Sequence, residues 1–410
     1  MSTEVEAEQR TTERVIGHRA EAILSSVRGF ISAISDPETG AALGDPYACD
    51  FVAGNPQEIA PRGYVDVLLR WTEPQDKSWF GYKGAHRPAQ VAAAEALSKE
   101  LGINFDPDDV ALTRGAHGAL AAALATVVDP GDEVIYLSPP WFFYEAMILA
   151  ADATPVKVKV EPATFDLDVE AIEHAVTERT RVVLINTPNN PTGRIYPGQT
   201  LQALGELLEA ASARSGRPIY ILSDESYSRI LFDGNRMVSP SSFYPRTLLV
   251  HTYSKSALAP GQRLGYLAFP PAMPGREELR LGLLGVGLGT ANLLPDAIMQ
   301  YALADIDAIP VDTAALQRKR DRMVHALQGM GYEVRVPEAT FYLLPRSPLA
   351  DDVEFTRRLR RDKVLVLPGR TFDMPGYFRI SLTATNEMIE RALPVFEQAM
   401  IDASALIDRD

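Results

Sequence analysis

Between residues 111 and 251 the chain alternates short, β-rich apolar runs with longer amphipathic ones. Val134-Ile-Tyr-Leu137, Val182-Val-Leu-Ile185, Ile219-Tyr-Ile-Leu222 and Leu248-Leu-Val-His251 are bounded by Pro, Gly or Asn. Runs without polar alternation read as strands covered on both faces. The stretches between them, 118–128, 142–151 and 201–213, carry helical spacing. Strand and helix in alternation predict an α/β fold, a mostly parallel sheet sandwiched by helices. A further helical pattern spans 15–34, behind a charged N-terminus that is expected to fray.

After Asn292 the pattern changes. A helical region to about residue 330 is followed by strand-like stretches at 332–336 and 341–344. A helix near 353–361, short strands at 364–367 and 378–382 and a closing helix from 387 complete the chain. That order predicts a smaller α+β unit. No repeat, low-complexity tract or Pro/Ser linker separates the two parts, so they are expected to pack closely.

Composition excludes several functions. At 410 residues and 46% hydrophobic, the chain can bury a sizeable core unaided. Its 54 acidic against 40 basic residues leave a formal charge of −14, which repels phosphates and anionic lipid and argues against nucleic-acid or membrane partners. A single cysteine, Cys49, forms no intrachain disulfide. The N-terminus has no apolar signal-like stretch, and the most apolar segment, 281–295, is short and broken by glycines. A cytoplasmic protein is expected. The six histidines show no ligand spacing, so no metal site is expected. There is no GxSxG elbow and no Walker loop. Gly285-Val-Gly287-Leu-Gly289 misses the dinucleotide spacing and reads as a flexible connector or pocket lining.

The chemistry concentrates at strand ends, where open α/β sheets bind ligands. One strand runs into Asn186-Thr-Pro-Asn-Asn190-Pro191-Thr-Gly193, which on composition alone is a turn. Another ends in Ser223-Asp224-Glu225-Ser226-Tyr227, where a half-buried carboxylate needs a partner. A third ends in Thr252-Tyr253-Ser254-Lys255, with Arg263-Leu-Gly265-Tyr266 following; a lone lysine is ordinarily a solvated surface group.

In this order, Asn190-Pro191-Thr192-Gly193, Asp224-Glu-Ser-Tyr227, Ser254-Lys255 with Arg263-Leu-Gly-Tyr266, and Phe378-Arg379-Ile-Ser resemble the class I/II aminotransferases. These are pyridoxal-phosphate enzymes of fold type I, and the resemblance runs from about Asp50 to the last helix. It implies a 2-oxo acid and an L-amino acid as substrates, and a homodimer with shared active sites. The chain would divide into an N-terminal segment, 1–61, belonging to a small domain, a large cofactor-binding domain, 62–305, and a C-terminal α+β domain, 306–410.

By that resemblance Lys255 forms the Schiff base with the cofactor aldehyde and then moves the substrate proton. Asp224 pairs with the pyridine nitrogen, which makes the ring an electron sink. Asn190 and Tyr227 bond the ring's phenolic oxygen, and Trp141 stacks on its face or is an ordinary core tryptophan. Gly115, Ala116 and His117, between a strand and a helix beginning near Gly118, suit the phosphate, with Arg263, Thr252 and Ser254. Tyr82 reaches the neighbouring subunit's phosphate. Arg379 takes the α-carboxylate as a bidentate fork, with Gly54 in a loop that closes over it.

Three departures bear on the substrate. Arg87-Pro88-Ala89-Gln90-Val91-Ala92 replaces a Gly-x-x-x-Leu-Arg pattern at the site entrance. Glycines occupy the stretch 285–292, where aspartate-specific relatives place an arginine from the partner. His117 stands where another branch has a lysine that reads the side chain; a protonated imidazole there would donate to a polar substrate tail. A lyase or an oxidase on the same fold is the alternative reading. A non-catalytic cofactor-binding regulator would need a DNA-reading module, and none is seen.

Overall fold

The computed structural model describes residues 15–290 and 293–407. The expected frayed N-terminus, up to residue 14, and Asn292 lie outside the described residues. Among the described residues the strands in chain order are β1 (Cys49–Asp50), β2 (Val110–Thr113), β3 (Glu133–Ser138), β4 (Thr154–Lys159), β5 (Thr180–Asn186) and β6 (Tyr220–Asp224), then β7 (Thr247–Thr252), β8 (Gly265–Ala268), β9 (Tyr342–Leu343), β10 (Val364–Leu365), β11 (Leu367–Pro368) and β12 (Phe378–Ser381). Seven form one sheet in the order β2-β8-β7-β6-β5-β3-β4. Only β8 runs antiparallel to its neighbours; the pairs from β7 to β4 are parallel.

Every residue of β3, β6 and β7 is buried, as a sheet covered on both faces requires. One cover is the helix Gly115–Val127, alanine- and leucine-rich and packed against β7 and β8. The other includes the helix Gly198–Ser215, whose Leu201, Leu204 and Leu208 share a core with Ile185 and Ile221. The register sets the site: Asn186 lies beside Asp224, and both Thr113 and Thr252 pair with Gly265. The ends of β5, β6 and β7 therefore open at one edge, where β2 also ends.

A second core joins the two chain ends. Cys49 pairs with Val364 across the parallel β1–β10 ladder. Phe51 packs with Phe341, Phe355, Phe378 and Phe396, and β11, β12 and β9 form an antiparallel sheet alongside. The helix His18–Ser35 lies against the helix Tyr144–Ala150 and also touches the 3₁₀ turn Gly369–Phe372. No described helix is long and apolar enough to cross a membrane.

Four expectations need correction. The glycines at 285, 287 and 289 belong to the helix Arg276–Thr290 and are no flexible connector. A Cβ on Gly287 would stand 2.1 Å from Leu293 Cδ1, so the glycine is a notch that lets Leu293 pack. Residues 332–336 form no strand. Tyr332 and Val334 are buried in alternation, but the Val334 carbonyl is taken by the Gln328 side chain, and no ladder forms. The 364–367 run serves two sheets, since β10 pairs with β1 and β11 with β12. The helical region before 330 breaks into Ala297–Asp307 and Thr313–Gly329. Pro310 lies in the gap and cannot continue the first helix, and Asp312 caps the second through Ala315 N, at 2.9 Å.

Candidate active site

A cavity of about 160 Å³ opens where β5, β6 and β7 end, and Asn190, Asp224, Tyr227, Lys255 and Arg263 all line it. At one end β2 runs into the helix Gly115–Val127, which begins three residues earlier than the sequence suggests. Ala116 and His117 thus sit in its first turn, where backbone N–H groups lack intrahelical acceptors and favour an anion. Arg263 stands over this turn. It donates through Nη1 to Ser254 Oγ at 3.1 Å and to the Pro260 carbonyl at 2.7 Å. Among the described residues no carboxylate pairs with Arg263, and burial pushes its ionisation down. An exposed guanidinium aimed at a helix N-terminus, with no carboxylate beside it, suits an anion. Gly115, at φ +71°, leaves room for it, because a Cβ there would meet Arg263 Nη2 at 2.7 Å. Thr252 lines the cavity; its hydroxyl donates to the Leu264 carbonyl at 3.1 Å and accepts from Ser254 N at 3.2 Å, capping the short helix Tyr253–Ser256.

Asp224, the last residue of β6, is 5% exposed. Its Oδ2 accepts from Tyr144 Oη at 2.7 Å and its Oδ1 from Ser226 Oγ at 2.5 Å and Ser226 N at 3.1 Å. Burial raises its pKa, while the hydrogen bonds from Ser226 and Tyr144 and the charge of Lys255 oppose the rise. Asn186 ties two motifs together: its Nδ2 donates to the Asp224 carbonyl at 2.8 Å and its Oδ1 accepts from Asn190 N at 2.7 Å. Lys255 Nζ lies 5.8 Å from the ring centre of Tyr227 and 5.7 Å from that of Phe341.

At the far end Arg379 is 4% exposed. It donates to Asn190 Oδ1 at 3.0 Å and to the Val52 carbonyl at 2.9 Å, and stacks 4.2 Å from the Tyr342 ring centre. Among the described residues its Nε has no partner. Gly54 admits this packing, since a Cβ would stand 2.4 Å from Tyr342 Oη. Burial pushes the Tyr227 phenol well up. Burial acts likewise on its neighbour Tyr342, but the charges of Lys255 and Arg379 win and hold that phenol below its ordinary value.

The structure brings together every residue expected at the site except Tyr82, which is fully exposed and does not line the cavity. Burial, and then the charge of Arg263, lower the His117 pKa, and its ring lies edge-on to Trp141 at 5.7 Å. Tyr144, Ser226, Asn186 and Tyr342 were not anticipated. Tyr144 closes the aromatic run that opens with Trp141, and Ser226 sits inside the Asp224–Tyr227 motif, so both were within reach. Gly265 was read only as part of a motif; a Cβ there would collide with the His251 carbonyl at 2.5 Å.

Under the site, Glu225 is 2% exposed, and its Oε1 accepts from Ser223 Oγ at 2.9 Å and Ser239 Oγ at 2.6 Å. Burial pushes this carboxyl from its ordinary 4.5 up to about 8, Glu100 and Asp224 add to the rise, and the two hydroxyls oppose it. The native chain therefore keeps a proton that the unfolded chain has released. Its contribution to stability is full below about 4.5 and is lost as pH rises through about 8. Glu225→Gln mimics the protonated form, so it should melt above the wild type at pH 8, with the gap closing near pH 5. Calorimetry at both pH values checks this, and a gap that widens toward acid would refute burial as the cause.

The class this fold and site define is borne out by known proteins. Residues 75–396 match the family of class I and II aminotransferases. The probable aspartate/prephenate aminotransferase of Thermus aquaticus is 32% identical over 360 residues, covering 85% of this chain and 90% of that protein. Its counterpart from Thermus thermophilus is 31% identical with the same coverage. Among solved structures, an amino transferase from Eubacterium rectale superposes with a TM-score of 0.86 at 30% identity, covering 94% of this chain and 98% of that one. The chain belongs to the class I and II aminotransferases. It is a fold-type I enzyme dependent on pyridoxal phosphate. The helix N-terminus, the unpaired Arg263, the buried acid Asp224 and the amine of Lys255 fit that cofactor's phosphate, ring nitrogen and aldehyde.

Proposed function

We propose that this subunit moves an amino group from an L-amino acid to a 2-oxo acid in two half-reactions, with Lys255 as the proton carrier. The observation that carries the assignment is convergence: the Lys255 amine, the buried Asp224 carboxylate and the Arg263 guanidinium, which has no carboxylate partner among the described residues, line one cavity from separate elements. Pyridoxal phosphate supplies an electron sink for the electrons released at the substrate Cα. Asp224, held by Tyr144 and Ser226, keeps the ring nitrogen protonated. Asn190 and Tyr227 position the ring's phenolic oxygen, and Trp141 covers its face. Ala116 and His117 N–H groups, Arg263, Ser254 and Thr252 anchor the phosphate. Arg379, with Asn190 beside it and Gly54 leaving space, orients the α-carboxylate so that the Cα proton faces Lys255. The relatives bear aminotransferase names, which supports amino transfer over the lyase or oxidase alternative.

The reading extends to the assembly. Residues 62–305 serve as the large domain, and 1–61 with 306–410 as the small one, in keeping with the core shared by β1 and β10. A homodimer with shared sites is supported by the outward Tyr82 and by Phe80, 65% exposed. The apolar stripe Leu281, Leu284 and Leu288 on the helix Arg276–Thr290 adds to it, since a monomer gains nothing by exposing such side chains. A cytoplasmic location accords with one buried, unpaired cysteine.

The test is the visible spectrum of the holoenzyme titrated with single L-amino acids in the absence of an acceptor. Stoichiometric loss of the band, and its return with a 2-oxo acid, is the expected result and names the donor. A persisting band with ammonia accumulating would overturn amino transfer. Arg379→Ala should raise KM for the donor at least about a hundredfold, since Lys could not restore the bidentate fork either. Steady-state kinetics with the best donor measure it.

A further inference from the structure

The segment that displays Tyr82 is built as a rigid stage. Two of the chain's three tryptophans hold it. Trp79 stacks on Tyr301 with ring centres 3.8 Å apart, and Trp71 lies parallel to Trp79 at 6.1 Å. Polar groups lock the stack: Trp79 Nε1 donates to the Trp71 carbonyl at 3.0 Å, Trp71 Nε1 to Asp305 Oδ2 at 2.8 Å, and Tyr301 Oη to the Trp79 carbonyl at 3.1 Å. Within the turn, Asp76 Oδ1 accepts from Ser78 N at 2.6 Å and the Ser78 carbonyl from Gly81 N at 2.9 Å. At the far end His86 N donates to Gln300 Oε1 at 2.8 Å.

The clamp does not stop there. Gln300 is 1% exposed, and its Nε2 donates to the Pro295 carbonyl at 2.9 Å. The next residue back, Leu294, accepts at its carbonyl from Arg114 Nε at 3.3 Å, and Arg114 immediately precedes the helix proposed to hold this subunit's own phosphate. One helix, Ala297–Asp307, thus fixes both ends of the displayed segment and is tied to the phosphate turn.

We infer that Tyr301 and Gln300 are positioning residues for the neighbouring subunit's cofactor: they fix the Trp79 carbonyl and the His86 amide, and so the place where Tyr82 stands. This rests on the dimer reading above. A segment ordered in advance spends little entropy when it docks, which explains why two tryptophans and a buried glutamine are devoted to a turn whose tip faces outward. If the stack only packed its own subunit, damage to it would act on the chain that carries it.

Mixed dimers separate these roles. Tyr301→Phe keeps the ring stack and removes one hydrogen bond; Trp79→Leu is the harsher second lesion. Each is combined with Lys255→Ala in one chain and paired with a wild-type chain, or placed on the Lys255-bearing chain and paired with Lys255→Ala. Borohydride fixes cofactor only to a chain with Lys255, so titration with pyridoxal phosphate before reduction reads the affinity of that one site. The expected result is about five- to tenfold weaker binding for Tyr301→Phe when the lesion lies on the Lys255→Ala chain, and wild-type affinity when it lies on the competent chain. Loosening that stays with the lesioned chain, or no loosening in either pairing, would overturn the inference. A wild-type chain that sediments as a monomer at micromolar concentration would instead overturn the dimer reading itself.

Discussion

Lys255→Ala is expected to abolish turnover, by at least about 10⁴-fold, while the variant still takes up cofactor weakly. Proton transfer by a placed side chain contributes about 10² to 10⁴ on its own, and the same amine is the proposed covalent attachment point. Among the described residues Lys255 is the one lysine lining the cavity, and Tyr227 beside it is a poor base because burial holds its proton on. Cofactor uptake survives because Arg263, Ser254 and the turn at Gly115 do not depend on Lys255. Lys255→Arg separates charge from proton transfer. It keeps the cation but cannot release a proton, so it should be as inactive as the alanine variant. Single-turnover measurements on both variants check this, and appreciable turnover in either would remove Lys255 from its assigned role.

The sequence declared the large sheet because that sheet is covered on both sides. β3, β5, β6 and β7 have no solvent face, so their composition could not alternate and each read as an uninterrupted apolar run. One strand that escaped notice has a mixed environment. β4 lies at the sheet's edge, where Thr154, Lys157 and Lys159 are exposed, and its pattern resembles any surface stretch. The strand-like reading of 332–336 erred for the converse reason. Alternating burial shows which side chains face the core, but a strand also needs a partner, which composition does not record.

The same distinction applies to the site. Lys255, Asp224, Asn190, Arg263 and Arg379 were legible because each stands in a short motif in or beside a strand. Asn186 and Tyr342 were not, because their importance is relational. Asn186 matters by joining the Asp224 carbonyl to the Asn190 amide across adjacent strands. Tyr342 comes from a region more than a hundred residues further along the chain and touches the site only after both chain ends share a core. His117 shows the limit of reading charge from residue type. Burial and the charge of Arg263, a residue distant in sequence, both lower its pKa.

Asp224→Asn should lower kcat by about 10² to 10³, the range for loss of one preorganised electrostatic partner, with little effect on KM for the donor because Arg379 is untouched. The substitution preserves volume but removes the charge proposed to hold a proton on the ring nitrogen. It also breaks a matched set of donors. Asp224 Oδ2 accepts from Tyr144 and Oδ1 from Ser226, whereas an amide has one accepting atom and must turn its NH₂ toward one of those donors. Tyr144→Phe is the control for that second effect. It removes a single hydrogen bond to the same carboxylate, worth about 1 kcal/mol, and leaves the charge in place, so its loss should stay near tenfold or below. If charge is what matters, the Asn variant falls far below the Phe variant, and the double variant is scarcely worse than Asn alone. Equal losses in the two single variants would mean that Asp224 acts only through its hydrogen bonds, and its pairing with the ring nitrogen would have to be abandoned.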